Sequence, residues 1–312
     1  MALVIDLTER RKLEEGLRER EALLSAVTQS AGEAIIMLDG NGLVAFWNPA
    51  AEKLFGYFRK EIIGEDLHRL IVPEEQSFRA YKKSFANFKS TGEGDKIGKT
   101  IELKAKNKAG EILEAELTLT AVKRKEGLYT IGVVKDIGKR KKVEEQIYLL
   151  TITDPLTNVY NRRYFMQKLE EEIERTKRNE NKFSLIMLDI DHFKGINDRF
   201  GHNAGDLVLK SMTEMIKNRI RKVDCLARWG GEEFVIFLAD TPANKAAVLA
   251  EELKESLSCM DIPGVDRVTA SFGVAGYCAR DTADTLVNKA DSMMYEAKAA
   301  GRNCVRYRKE CE

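Results

Sequence analysis

Hydrophobic and polar positions follow two different patterns in the two halves of the chain. From Ala34 to Tyr57, "AIIMLDGNGLVAFWNPAAEKLFGY", apolar residues alternate, break at Asp39-Gly40-Asn41-Gly42, and resume. Alternation on both sides of Asp-Gly and Asn-Gly predicts a β-hairpin. "NPAAEKLFGY" then predicts a short helix, with Asn48 as its cap and Pro49 in its first turn. After Pro73, Phe78, Tyr81, Phe85 and Phe88 recur at three- and four-residue steps and predict another helix. Thr100 to Asp136 predicts three strands, split by the turns Lys108-Ala109-Gly110 and Lys125-Glu126-Gly127. The sum is an antiparallel five-stranded sheet with helices on one side.

The second half has longer apolar runs. Phe183 to Leu188 predicts a buried strand, broken by Asp189-Ile190-Asp191. Around "RWGGEEF", Arg228 to Phe234, one apolar strand enters and another leaves. Gly230-Gly231 signals a hairpin, because glycine reaches positive φ at no steric cost. Two consecutive carboxylates, Glu232 and Glu233, at the mouth of a buried strand repel one another unless they share a cation.

An internal repeat supplies the layout. "VIDLTERRKLEE" (Val4 to Glu15) and "VVKDIGKRKKVEE" (Val133 to Glu145) share one pattern, an apolar strand end followed by a charged, helix-favouring run. In the second copy Val143, Ile147 and Leu150 take four- and three-residue steps, the seam of a short coiled coil. The expected division is a connector helix at 1–20 and a sensor-like domain at 21–138. A signalling helix at 139–152 and a second domain at 153–312 follow. The first copy is expected to be the tail of an upstream module in a longer protein.

Composition narrows the function classes. At 312 residues, a prior of roughly 150 per domain gives two domains. Hydrophobic residues are 44% and charged residues 32%, a soluble globular profile. A net charge of +1 offers no bulk attraction to nucleic acid or membrane, so neither is an expected partner. No apolar run is long enough to span a bilayer and no signal peptide is seen, so a cytoplasmic location is expected, with any membrane attachment left to upstream sequence. The five cysteines, Cys225, Cys259, Cys278, Cys304 and Cys311, form no CxxC pair and are expected to be reduced thiols.

The candidate chemistry gathers at strand ends. If their strands are neighbours, Asp189 and Glu232 make a hard oxygen site suited to Mg²⁺. Lys194, Lys298 and Arg302 supply phosphate-binding cations. "GDKIGKT" is not a P-loop, because three residues separate Gly94 from Gly98 where that loop needs four.

In the first half, D-x-x-G-x-V-x-x-W-N-x-A-A-E-x-L-x-G-Y, closed by "VVKDIGKRKK", resembles a PAS sensor domain over about residues 21 to 138. A cysteinyl-flavin photosensor is excluded, since the first cysteine is Cys225. "NFKSTGEGDKIGKTIELKAKNKAGE" resembles the haem-binding oxygen sensors of that superfamily, but Tyr81 falls at their ligating histidine. His68 lies upstream and is expected on a helix surface. Haem is therefore not expected, and the ligand is left open among a small organic molecule, a non-covalent flavin and none.

In the second half, "DPLTNVYNRRYF", "DIDHFKGINDRFGHNAGD", "RWGGEEF", "SFGVA" and "ADSMMYEAKAAGRN" resemble, in that order, the GGDEF family of diguanylate cyclases, from Thr153 to Tyr307. The resemblance implies an α+β architecture. A PAS domain would be followed, through a helical coiled-coil linker, by a ferredoxin-like nucleotide-cyclase domain. It implies condensation of two GTP into cyclic di-GMP and pyrophosphate, with Mg²⁺, or alternatively Mn²⁺, as cofactor. Each domain would hold one GTP, so a homodimer through linker and PAS domain is implied.

Residue by residue, the resemblance makes Asp189, Glu232 and the Ile190 carbonyl the metal ligands. Glu232 is the proton acceptor and Glu233 completes the acidic turn. Asn197 and Asp206 match the guanine-reading positions, with His202 at the rim. Phe193, Lys194, Lys298 and Arg302 match the phosphate contacts. "RKVD" matches a product-inhibition site through Arg221 and Asp224, although Glu252 stands where some members carry a second arginine. Two alternatives stay beside this: a silent domain that acts as a nucleotide receptor, and a cyclase making a mixed GMP-AMP product. Intact acids speak against the first and aspartate at 206 against the second.

Overall fold

The computed structural model describes residues 2–73, 94, 96–124, 127–179 and 182–308, without the side chains of 2–8, 178 and 179. The aromatic run from Phe78 to Phe88, and Tyr81 with it, lies outside the described residues. Two compact units divide the chain, 1–145 and 146–312. Among the described residues no helix is long and apolar enough to cross a membrane.

The first unit opens with α1 (Ala2–Ser30). Its backbone is helical from Ala2, so the strand end expected at Val4 to Asp6 is absent and the helix runs past the expected edge at residue 20. It is followed by β1 (Ala34–Leu38), β2 (Val44–Trp47), α2 (Pro49–Phe55), α3 (Arg59–Ile62) and α4 (Leu67–Ile71). Three long strands, β3 (Thr100–Lys106), β4 (Ile112–Arg124) and β5 (Gly127–Asp136), complete an antiparallel sheet in the order β2-β1-β5-β4-β3.

Asn48 is the joint of this unit. Its Oδ1 accepts from Ala51 N and Ile35 N, each at 2.9 Å, capping α2 as its sequence predicts. Its Nδ2 donates to Thr28 O at 3.1 Å and Glu33 O at 2.9 Å. One buried amide thus fixes the end of α1 against β1 and α2, with every polar atom partnered.

Apolar side chains of the sheet and helices enclose a cavity of about 100 Å³. His68 lines it beside Leu67, Ile71, Leu103 and Thr130. The expected surface position is wrong: α4 turns the imidazole inward, where burial and the nearby Lys96 push its pKa down to about 3.

Helix α5 (Gly138–Ile152) follows, and Val143, Ile147 and Leu150 are exposed along it. The second unit then runs through β6 (Tyr160–Asn161), α6 (Arg162–Asn179), β7 (Ser184–Ile190), α7 (Phe193–Phe200) and α8 (His202–Lys217). It ends with β8 (Cys225–Arg228), β9 (Glu233–Leu238), α9 (Ala243–Ser258), β10 (Ala270–Gly276), α10 (Ala283–Ala299) and β11 (Val305–Arg308).

The sheet order is β11-β10-β7-β9-β8-β6, and its inner four strands are antiparallel. This is a ferredoxin-like βαββαβ core with β7 at its centre. Every residue of β7 is buried. Ile186, Leu188 and Ile190 face the core with α8 and α9, while Leu185 and Met187 face α6 and α10. Each such side chain contributes roughly 1.5–3 kcal/mol by leaving water. Two covered faces give a continuous apolar run, not an alternating one.

Cysteine chemistry departs from expectation. Cys278 is disulfide-bonded, whereas Cys225, Cys259 and Cys304 are free. Burial pushes the Cys225 thiol up to about 12.

Two predictions follow from packing. A Cβ at Gly273 would sit 2.1 Å from both Ala290 O and Met294 N, so α10 rests directly on the β10 backbone. Gly273→Ala should destabilise the second unit at the upper end of the about 1–3 kcal/mol typical of overpacking. Urea unfolding followed at Trp229 tests it, through a lowered midpoint at unchanged slope.

The other concerns His68. Its folded pKa lies below the unfolded value near 6.5, so the unfolded state binds more protons in between. Stability present above pH 6.5 is therefore lost as pH falls towards 3, by about 1.4 kcal/mol per unit. His68→Leu should flatten that slope in unfolding curves at pH 7 to 4.5 followed at Trp47. An unchanged slope would contradict the burial of the imidazole.

Candidate active site

Strand β8 turns into β9 through Trp229 to Glu232, and Trp229 N donates to Glu233 O at 2.8 Å. Neither Gly230 nor Gly231 adopts the left-handed backbone that a hairpin signal implies. The need at Gly230 is for space: a Cβ would lie 2.8 Å from Glu233 Oε2. The side chain of Arg228 holds the tip from within. Its Nε donates to Gly231 O at 3.0 Å and its Nη2 to the same oxygen at 2.6 Å. Its Nη1 reaches Asp154 Oδ1 at 3.1 Å and Oδ2 at 3.2 Å. Trp229 packs beneath the Arg162 guanidinium, 4.3 Å from its ring centroid.

The acids meet across two neighbouring strands. The β7–β9 register sets Asp189 opposite Glu233, and Ile190 N donates to Glu232 O at 3.4 Å. Sequence reading paired Asp189 with Glu232; the register shows Glu233 as its direct neighbour, with Glu232 on the turn. Strand β7 also runs through Ile190, two residues past its expected end. Asp189 continues the face of Leu185 and Met187, towards α10, and Lys298 Nζ from that helix lies 2.7 Å from its Oδ2.

This charge is only partly compensated. Burial first, and the charge of Asp191 with it, raise the Asp189 pKa against the opposing pull of Lys298 and Arg302. Burial first, then the charge of Asp189, raise Glu233. Among the described residues, no three acidic, histidine or cysteine side chains already converge as a metal cage. The donor set nevertheless fits a hard divalent cation: two carboxylates and a main-chain carbonyl, half-buried and short of positive charge.

The predicted base-reading residues lie on α7 and α8. Asn197 Oδ1 fills the space at Gly205, where a Cβ would approach it to 2.0 Å. That glycine lets the Asn197 side chain close on α8 at the position before Asp206. Asp206 is half-buried, and His202 is exposed at the start of α8. Phe193 is buried at the start of α7, after His192 in left-handed conformation, and Lys194 is exposed. Lys298 sits in the last turn of α10, and exposed Arg302 lies just beyond it.

Arg221 and Asp224 stand apart from these and bond to one another, Nη2 to Oδ1 at 2.8 Å and Nε to Oδ2 at 3.0 Å. Asp224 also accepts from Arg221 N and Ala239 N. Sequence reading made it an acceptor for guanine; here both its oxygens are occupied within the chain. Arg221 additionally donates to Ala239 O and Thr241 Oγ1, tying the exit of β9. Its side chain is still 55% exposed.

Sequence reading missed Arg228 and Asp154, although "DPLT" and "RWGGEEF" were both in view. The signal was a basic residue beside a glycine pair, whose carbonyls need donors; its partner 74 positions away carried no local sign.

The family model described as "Diguanylate cyclase, GGDEF domain" matches residues 151–304, and the one described as "PAS fold" matches residues 22–137. Diguanylate cyclase DgcM of Escherichia coli K12 is 38% identical over 173 residues, 55% of this chain and 42% of that protein. Response regulator PleD of Caulobacter vibrioides is 37% identical over 162 residues, 50% of this chain and 36% of its own. The chain thus spans less than half the length of these curated relatives. The solved coiled coil and GGDEF domain of DgcB from Caulobacter crescentus, in complex with c-di-GMP, superposes with a TM-score of 0.53 at 28% identity. That match covers 55% of this chain and 93% of the other.

Replacing Arg228 by Lys should release the turn carbonyls, since an ammonium cannot reach both the tip and Asp154 as the planar fork does. Amide exchange at Gly231 to Glu233 should accelerate about tenfold, the loss of one or two hydrogen bonds to a charged group. Exchange at β7 should stay unchanged.

Proposed function

From the premise that the chain carries a PAS fold followed by a GGDEF domain, we propose that it is a diguanylate cyclase under PAS control. It condenses two GTP into cyclic di-GMP with release of two pyrophosphates. The observation that carries this is the pair of under-compensated acids, Asp189 and Glu233, facing Lys298 at adjoining strand ends.

In this reading Asp189, Glu232 and the Ile190 carbonyl would hold Mg²⁺ or Mn²⁺. When bound, such a cation lowers the pKa of a sugar hydroxyl and stabilises charge on a departing pyrophosphate. The remaining work is done by the chain. Asn197 and Asp206 read guanine, Asp206 accepting from N1–H and the N2 amine, with His202 at the rim. Lys194, Lys298, Arg302 and the Phe193 amide hold the triphosphate. Glu232 takes the 3′-hydroxyl proton as that oxygen bonds to the α-phosphorus and the bond to pyrophosphate breaks. Positioning and charge account for most of the rate.

Ring closure needs two domains facing one another. The exposed seam of Val143, Ile147 and Leu150 supports a homodimer through α5. Product feedback rests on the exposed guanidinium of Arg221, which can grip a phosphate or a guanine edge while Asp224 holds its base in place.

Incubation with GTP and magnesium should yield cyclic di-GMP by mass spectrometry, and Glu232→Gln should abolish it with the fold intact. Nucleotide binding without product in the wild type would favour the receptor reading. Asp206→Ser should cost roughly three orders of magnitude or more in preference for GTP over ATP, the discrimination that paired hydrogen bonds supply. An unchanged preference would remove Asp206 from base reading.

A further inference from the structure

Two acids end strand β7, and the structure gives them opposite jobs. Asp189 points towards α10, where Lys298 meets it. Asp191, buried like Asp189, is bonded within the chain. Its Oδ1 accepts from Ser271 Oγ at 2.7 Å, and its Oδ2 from Thr269 Oγ1 at 2.8 Å and from Asn303 N at 3.0 Å. Its own amide donates to Thr269 O at 2.9 Å, extending the β7–β10 ladder past the strand. Three donors of the chain thus converge on the Asp191 carboxylate.

What those bonds hold is the segment between α10 and β11. There the chain passes through two successive residues in left-handed conformation, Arg302 at φ 64° and Asn303 at φ 46°. Neither is glycine, and such a pair persists only where the surroundings over-determine it. Arg302 N donates to Ala297 O at 3.1 Å, closing the helix end, and Asn303 N donates to Asp191. The Arg302 backbone is thus pinned on both sides, and its side chain is exposed, near enough for its charge to act on Asp189.

We infer that Asp191 is a positioning residue for the triphosphate site. By anchoring Asn303 to the ends of β7 and β10, it sets where the Arg302 guanidinium stands relative to the carboxylates. This rests on the cyclase reading and adds to it a specificity-bearing contact on the phosphate side alone. Ser271 and Thr269 belong to the same device. Ser271 is opposite Asp189 in the β10–β7 register, so the acid that meets Lys298 and a donor to Asp191 stand side by side on one face of the sheet.

The test separates phosphate from base. Binding of GTP, inorganic tripolyphosphate and guanosine is measured by calorimetry with magnesium present, for wild type, Asp191→Asn and Arg302→Ala. Asparagine keeps the shape but removes the charge that three donors converge on. Affinity for GTP and tripolyphosphate should fall about tenfold, the scale of one lost charge-assisted contact. Guanosine affinity should stay as it was. A purely structural role would weaken both.

In the Arg302→Ala background, Asp191→Asn should have little further effect, because residues acting through one another are not additive. Should Asp191→Asn fail to fold, Ser271→Ala and Thr269→Val each remove one donor while keeping the charge, and a smaller loss confined to the phosphate ligands is expected. Equal losses on guanosine, full additivity with Arg302→Ala, or no loss at all would overturn the proposal while leaving the cyclase reading intact. A wild type that binds no GTP would overturn both.

Discussion

The second unit depends on one constraint: its central strand is buried on both faces and ends in carboxylates. Charge at such a place is costly unless paired, because burial removes the water that would otherwise solvate it. The fold meets the cost unevenly. Asp191 is satisfied by neutral donors inside the chain, Asp189 by one lysine, and Glu233 chiefly by proximity to that lysine. The residual shortage of positive charge at Asp189 and Glu233 is what a divalent cation would complete.

From this follows the arrangement of the supporting parts. Helix α10 lies directly on Gly273, which brings Lys298 to the strand end. Arg228 fills the carbonyls of the acidic turn and anchors them to Asp154, just beyond the end of α5. Asn161 and Arg163 donate to Thr151 O in the last turn of that helix, at 2.8 Å and 3.0 Å. A change in the course of α5 therefore has a short bonded route to the turn that carries Glu232 and Glu233.

In the first unit a comparable economy is centred on Asn48, whose amide joins α1, β1 and α2. The cavity of this unit is apolar except for a few groups, among them an imidazole that burial keeps neutral. Strand β1 both lines the cavity and donates a hydrogen bond to Asn48, so a shift of that wall bears on the joint with α1.

The sequence by itself determined the two folds and the set of acids, cations and amides at the candidate site. Local chemistry suffices for this: strand periodicity, turn glycines, caps and the order of five motifs are properties of neighbouring residues. Tertiary structure alone decided which of these touch. Register placed Glu233, not Glu232, across from Asp189. Neither turn glycine takes a left-handed φ, and only Gly230 is short of room. His68 turned into a cavity, Cys278 into a disulfide, and Asp224 spent its oxygens on its own chain. Asp154 with Arg228, and Asp191 with Asn303, were invisible for the same reason. Their partners lie 74 and 112 positions apart, and a hydrogen bond over that separation exists only once the sheet has brought both ends together.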